Sequence, residues 1–197
     1  MSTFFLNRLT TEPHALAFAG QSAPWPVALA DQTTDPSLDE ALRGHVAAAN
    51  RLLAPAAADL LATTGRPVDL FGFTPNPARL SAAADATASV EGVALTQLGA
   101  LLDLEHLGYS VAAAKPVAVL GHSQGVLAVH MTRAIEAAGS IEAAGKTLDE
   151  ILAVAALIGA AGTRRVRELG LNPKYGEASP MLSVKGATRE QVEALVK

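Results

Sequence analysis

Apolar positions along the chain fall into runs of two kinds, short continuous ones and longer ones spaced at helical intervals. His14 to Ala19 reads as a short buried strand that ends in the sharp turn Gly20-Gln21-Ser22. Thr33 to Pro36 is a loop, and Ser37 opens a helix with Glu40 three residues on, the spacing of a capping box. Leu38, Leu42, Val46 and Leu53 give that helix one apolar side, and Pro55 bends or divides it because proline carries no N–H for the ladder. Three prolines and two glycines between Gly65 and Pro77 leave room only for short structure. Val93, Leu95, Leu98, Leu101, Leu102 and Leu104 make Val90 to Leu107 a well-buried helix, with Gly108 as its C-cap. Pro116 to Leu120 is a continuous apolar run, the pattern of a strand buried on both faces. Val126 to Ala138 returns to helical composition. Thr147 and Glu150 form a second capping-box pair, opening a helix that carries Leu148, Ile151, Leu152, Leu157 and Ile158. Met181 to Val184 reads as a strand after Pro180, and Thr188 and Gln191 cap a last helix that runs into Lys197. Strands set among helices predict the α/β class. No repeat and no linker divides the chain, and a helix running straight into the last residue suggests a piece cut from something longer.

Composition narrows the picture. The chain has 197 residues, 50% of them hydrophobic, 17% charged and 4% aromatic, which suits one ordinary domain with its own core and argues against disorder. A net charge of −4 with no lysine–arginine cluster offers nucleic acid no grip. Arg164, Arg165 and Arg167 read as a solvated helix end. The absence of cysteine excludes disulfides, zinc–thiolate sites, iron–sulfur clusters and a cysteine nucleophile, and makes a cytoplasmic location the default. No apolar stretch reaches the ~18 residues of a membrane span, and Met1 to Thr11 lacks the pattern of a signal peptide, so no membrane partner is expected.

Chemistry concentrates at Gly121-His122-Ser123-Gln124-Gly125, a G-x-S-x-G pentad between the apolar strand and the helix that follows. A serine there sits on a tight, strained turn, so its flanks must lack bulk, and glycines supply that. The turn lifts the Ser123 hydroxyl above the sheet edge. The amide of Gln124 falls at a helix N-terminus, where N–H groups can stabilise an oxyanion. Such an elbow serves transferases and hydrolases alike. A serine esterase or thioesterase of the α/β-hydrolase type and a non-catalytic folding or assembly fragment are the competing readings.

The pentad, preceded by Phe18-Ala19-Gly20-Gln21, resembles the acyltransferase family that includes malonyl-CoA:acyl carrier protein transacylases. Within it, the chain looks most like the N-terminal acetyltransferase domain of fungal and actinobacterial type I fatty acid synthases. Gly92 to Leu98, Leu157-Ile158-Gly159 and Ser179 to Val184, continuing through Thr188 to Val192, carry that narrower likeness. The resemblance implies an acyltransferase fold with an α/β-hydrolase-like core on a parallel sheet. Residues 1–178 would form the N-terminal part of that core, and 179–197 the beginning of a small ferredoxin-like subdomain.

It further implies that Ser123 takes an acetyl group from acetyl-CoA and passes it to the phosphopantetheine thiol of an acyl carrier protein. The other domains of a parent synthase would be further partners, and neither a bound cofactor nor a metal is implied. Gly121, His122 and Gly125 would shape the elbow, and the backbone N–H groups of Gln21 and Gln124 would form the oxyanion hole. The family's general base is a histidine far downstream, and His14, His45, His106 and His130 match no catalytic position. The isolated chain is therefore expected to be inactive. Malonyl-using members carry an arginine that pairs with the substrate carboxylate. Ile158 falls at the matching place, which suits acetyl and would leave a carboxylate buried and unpaired.

Overall fold

Two parallel strands, β1 (Ala15–Phe18) and β2 (Ala118–Gly121), form the sheet of the computed structural model, which describes residues 8–20, 25–64, 86–168, 188, 190, 191 and 194. Their register pairs Ala15 with Ala118, Leu16 with Val119, Ala17 with Leu120 and Phe18 with Gly121. Parallel neighbours cannot be joined by a tight hairpin, so the chain between them makes a long, largely helical crossover. That crossover contains α1 (Trp25–Gln32), α2 (Pro36–Leu53), a 3₁₀ turn at Ala54–Ala56, α3 (Ala57–Thr64), α4 (Ala86–His106) and the short α5 (Val111–Ala114). After β2 come a second 3₁₀ turn (Ser123–Gly125), α6 (Val126–Ala138) and the long α7 (Ile141–Glu168). No helix among the described residues is long and apolar enough to cross a membrane.

The core gathers around α4. Val93, Ala94, Leu95, Leu98 and Leu101 are all essentially removed from solvent, so the helix is buried nearly all round, as its sequence predicts. Helices α1, α2, α6 and α7 pack around it. Leu38, Leu42, Val46 and Leu53 of α2 are buried on one side as expected, and Pro55 stands in the 3₁₀ turn that separates α2 from α3. Gly108 closes α4 with a positive φ of 91°. Thr188 and Gln191 do form a reciprocal capping box: the Thr188 amide donates to Gln191 Oε1 at 2.8 Å and the Gln191 amide to Thr188 Oγ1 at 3.4 Å. The Gly65–Pro77 stretch, the Met181–Val184 strand and most of 179–197 lie outside the described residues.

Three expectations need correction. Asp35, and not Ser37, caps α2: its Oδ1 accepts from the Ser37 and Leu38 amides and from the Ser37 hydroxyl, while Pro36 takes the first helical position. Helix α7 begins at Ile141, with the Ser140 hydroxyl accepting from the Ala143 amide, so Thr147 lies inside the helix and caps nothing. Leu148 and Leu152 are buried in α7, but Leu157 and Ile158 are 44% and 49% exposed, because Ala155, Ala156 and Ala160 take the core-facing positions there. Finally, neither strand is buried on both faces. Leu16, Phe18 and Val119 are half-buried on one face, whereas Ala15, Ala17 and Leu120 lie exposed on the other. Helix α6 packs on this sheet, and Leu16 and Phe18 join the core.

Candidate active site

The turn after β2 is built by close backbone contacts. His122 continues the strand with extended backbone, and its amide donates to the Phe18 carbonyl at 3.0 Å, which ties the turn to β1. Ser123 then takes a positive φ of 53°, a conformation that costs a residue with a Cβ roughly 1–2 kcal/mol. Lys115 is the one other non-glycine residue of this kind among the described residues. The chain closes at once, with the Gly125 amide donating to the His122 carbonyl at 2.8 Å, and α6 starts at Val126.

This closure needs glycine on both sides. A Cβ on Gly121 would lie 2.4 Å from the Gly125 carbonyl oxygen, and one on Gly125 would lie 2.4 Å from the Phe18 carbonyl oxygen. Gly20, in the segment after β1, is a third such position: a Cβ there would meet the His122 carbonyl oxygen and Ser123 Cβ, both at 2.8 Å. Three backbone segments therefore converge on Ser123, and the side chain they present is exposed to solvent. Strand, strained serine, 3₁₀ turn and helix reproduce the strand–turn–helix that the pentad predicts.

The other predicted residues are placed as follows. Gln124 lies in the 3₁₀ turn at the entry to α6, where helical amides point outward and favour negative charge. Its side-chain Oε1 is buried without a hydrogen-bond partner among the described residues. Gln21 lies outside the described residues. Ile158 stands with Val154 and Leu157 on the exposed side of α7, and Arg164 and Arg165 are exposed near the end of that helix.

Of the histidines, His122 is exposed beside Ser123. His14 Nε2 lies 2.6 Å from the hydroxyl of buried Tyr109, a phenol that burial, and then the Glu136 carboxylate, hold above its ordinary pKa. His45 Nδ1 lies 2.7 Å from Asp149 Oδ1, pinning α2 to α7. His106 and His130 are exposed. None of the histidine hydrogen bonds among the described residues reaches Ser123.

Two contacts at the site escape sequence reasoning. Gly20 reads as an ordinary turn residue until the second backbone beneath it is seen. Gln97 donates from Nε2 to the Ala19 carbonyl at 2.6 Å across 78 residues of chain. A glutamine in the buried stretch of α4 is the available hint, and it does not reveal its partner.

Comparison with known proteins agrees with this geometry. No curated protein matches the chain. Residues 78–197, which include the whole turn and more than half of the chain, match the family described as "Starter unit:ACP transacylase in aflatoxin biosynthesis". With a strained serine between a parallel strand and a helix, inside the matched region, the chain belongs to the starter unit:ACP transacylase family, a family of acyltransferases.

Proposed function

We propose that the chain is the acyl-loading domain of a cytoplasmic fatty acid synthase, carrying acetyl from acetyl-CoA to an acyl carrier protein through an ester on Ser123. In the first half-reaction the Ser123 Oγ attacks the thioester carbonyl. The carbon–sulfur bond breaks and coenzyme A leaves as its thiol. In the second, the phosphopantetheine thiol of the carrier protein attacks the serine ester, and Ser123 recovers its proton. The amides of Gln124 and Gln21 hold the oxyanion in both steps, and Gly121, His122 and Gly125 keep the turn in shape. A histidine from outside this chain takes and returns the proton. Ile158, apolar and half-exposed on α7, sets the acyl preference by offering a malonyl carboxylate no cation to pair with.

The observation that carries this reading is the left-handed backbone of Ser123, held by three glycines that admit no side chain. Strain of this kind persists where the surrounding structure over-determines it, and it presents one hydroxyl at the head of a helix. The test is intact-protein and peptide mass spectrometry of the full-length protein after an acetyl-CoA pulse. A 42 Da adduct, about the mass of one acetyl group, is expected on Ser123, lost in Ser123→Ala and discharged by carrier-protein thiol faster than by water. Label on another residue overturns the assignment, and an ester that water clears as fast as the thiol does identifies a hydrolase.

A further inference from the structure

We infer that Gln97 is a positioning residue for the nucleophile, holding the Ala19–Gly20 segment in place beneath Ser123. The inference rests on the reading of Ser123 given above. Ala19 lies one residue past the last ladder pair, Phe18 with Gly121, so the sheet does not fix its carbonyl. The Gln97 side-chain amide does, at 2.6 Å. That carbonyl oxygen stands 3.0 Å from where a Gly125 Cβ would be, and the next residue, Gly20, abuts the His122 carbonyl and Ser123 Cβ. A movement of a few tenths of an ångström at Ala19 is therefore transmitted directly into the turn that presents the serine.

Gln97 sits in a poor place for a residue of purely structural value. It is 9% exposed, and with Nε2 committed to Ala19 its Oε1 is left buried without a hydrogen-bond partner among the described residues. A buried acceptor without a donor destabilises the fold, and an apolar side chain of the same length would avoid that. The neighbouring Thr96 hydroxyl, by contrast, has a partner within the helix: its one hydrogen goes to the Gly92 carbonyl at 2.8 Å, nearer than the Trp25 carbonyl at 3.3 Å. The hold that buried α4 places on the backbone at Ala19 comes from Gln97, and it lies under Ser123.

The experiment compares full-length wild type, Gln97→Met and Gln97→Glu. Melting temperature is measured beside the rate of Ser123 acylation over a range of acetyl-CoA concentrations. Gln97→Met removes the donor together with the unsatisfied oxygen, so its melting temperature should equal or exceed that of wild type. Its limiting acylation rate should fall about five- to tenfold, the size of one neutral hydrogen bond, with the half-saturating concentration unchanged. Gln97→Glu keeps the shape and sets an acceptor against the Ala19 carbonyl, and it should lower the limiting rate at least as far. A wild-type rate in either folded variant, or an effect confined to half-saturation, overturns the inference. Loss of the fold in both variants overturns it too, because Gln97 would then be a structural residue. If wild type itself carries no label on Ser123, the failure belongs to the Ser123 reading and not to Gln97.

Discussion

Replacing Gly125 by alanine tests the elbow where it is tightest. The added Cβ would lie 2.4 Å from the Phe18 carbonyl oxygen, 0.6 Å inside the 3.0 Å that real contacts keep. Both atoms belong to backbone, so no side chain can swing aside. The oxygen is also the acceptor of the His122 amide, and relieving the clash pulls that 3.0 Å bond apart. Overpacking of this kind costs about 1–3 kcal/mol, and a lost backbone hydrogen bond adds about 1 kcal/mol. The total of about 2–4 kcal/mol corresponds to a melting temperature lower by roughly 4–16 °C for a domain of this size. The control is Gly44→Ala in α2, where nothing lies within 4 Å of the new methyl group. There the helix gains about 0.5–1 kcal/mol, and the melting temperature should rise. Thermal denaturation followed by circular dichroism gives both numbers. If Gly125→Ala melts with wild type while Gly44→Ala shifts upward, the close approach of the turn to β1 is wrong, and the argument for a strained serine falls with it.

Three further outcomes are expected. Ser123→Gly should abolish acetyl-enzyme formation while raising stability by about 1 kcal/mol, since it removes the Cβ from a left-handed position; a destabilised variant would contradict the strain. Ile158→Arg in the full-length protein should shift the ratio of malonyl to acetyl loading upward by roughly tenfold, the size of one charge-assisted pair, and an unchanged ratio removes Ile158 from the pocket. The Ser37 hydroxyl, followed by the Leu38 and Ser37 amides, holds the Asp35 carboxyl below its ordinary pKa. That stabilisation is complete above the unfolded-state pKa and is lost as the pH falls through the lower folded value. Asp35→Asn still caps the helix but does not titrate, so its melts between neutral and acid pH should show a shallower decline than wild type; equal slopes would refute the cap's part in acid stability.

Sequence reasoning reached the elbow because all its parts are local. A strand, two glycines, a serine and a helix follow one another within about a dozen residues, and each leaves its mark on composition. The buried α4 was legible for the same reason, its apolar residues crowding every side of the helix. The helix starts were less so. Ser37 with Glu40 and Thr147 with Glu150 satisfy a four-residue pattern, yet Asp35-Pro36 and Ser140 supply caps earlier in the chain, and a helix starts at the first adequate one. The outward turn of Leu157 and Ile158 follows from alanines on the core side of a 28-residue helix, where hydrophobicity alone does not reveal which residues face in. Gln97 and Gly20 act through partners that are distant in sequence but close in space, and no local pattern encodes those partners.

The pairing of β1 with β2 also sets an order of events in time. Ala15 and Ala118 are 103 positions apart, and nothing in the elbow is over-determined until they meet. Closing a flexible loop of that length costs about 4 kcal/mol of chain entropy, which the folding chain must meet before the sheet bonds and turn contacts return any of it. The helices of the crossover, built from local contacts, can form ahead of that closure. The strained serine cannot, because the backbone segments that enforce its conformation come from both ends of the crossover. Ser123 in its left-handed conformation is therefore a late product of folding, and its appearance marks the joining of the two ends of the crossover, not the formation of the helices between them.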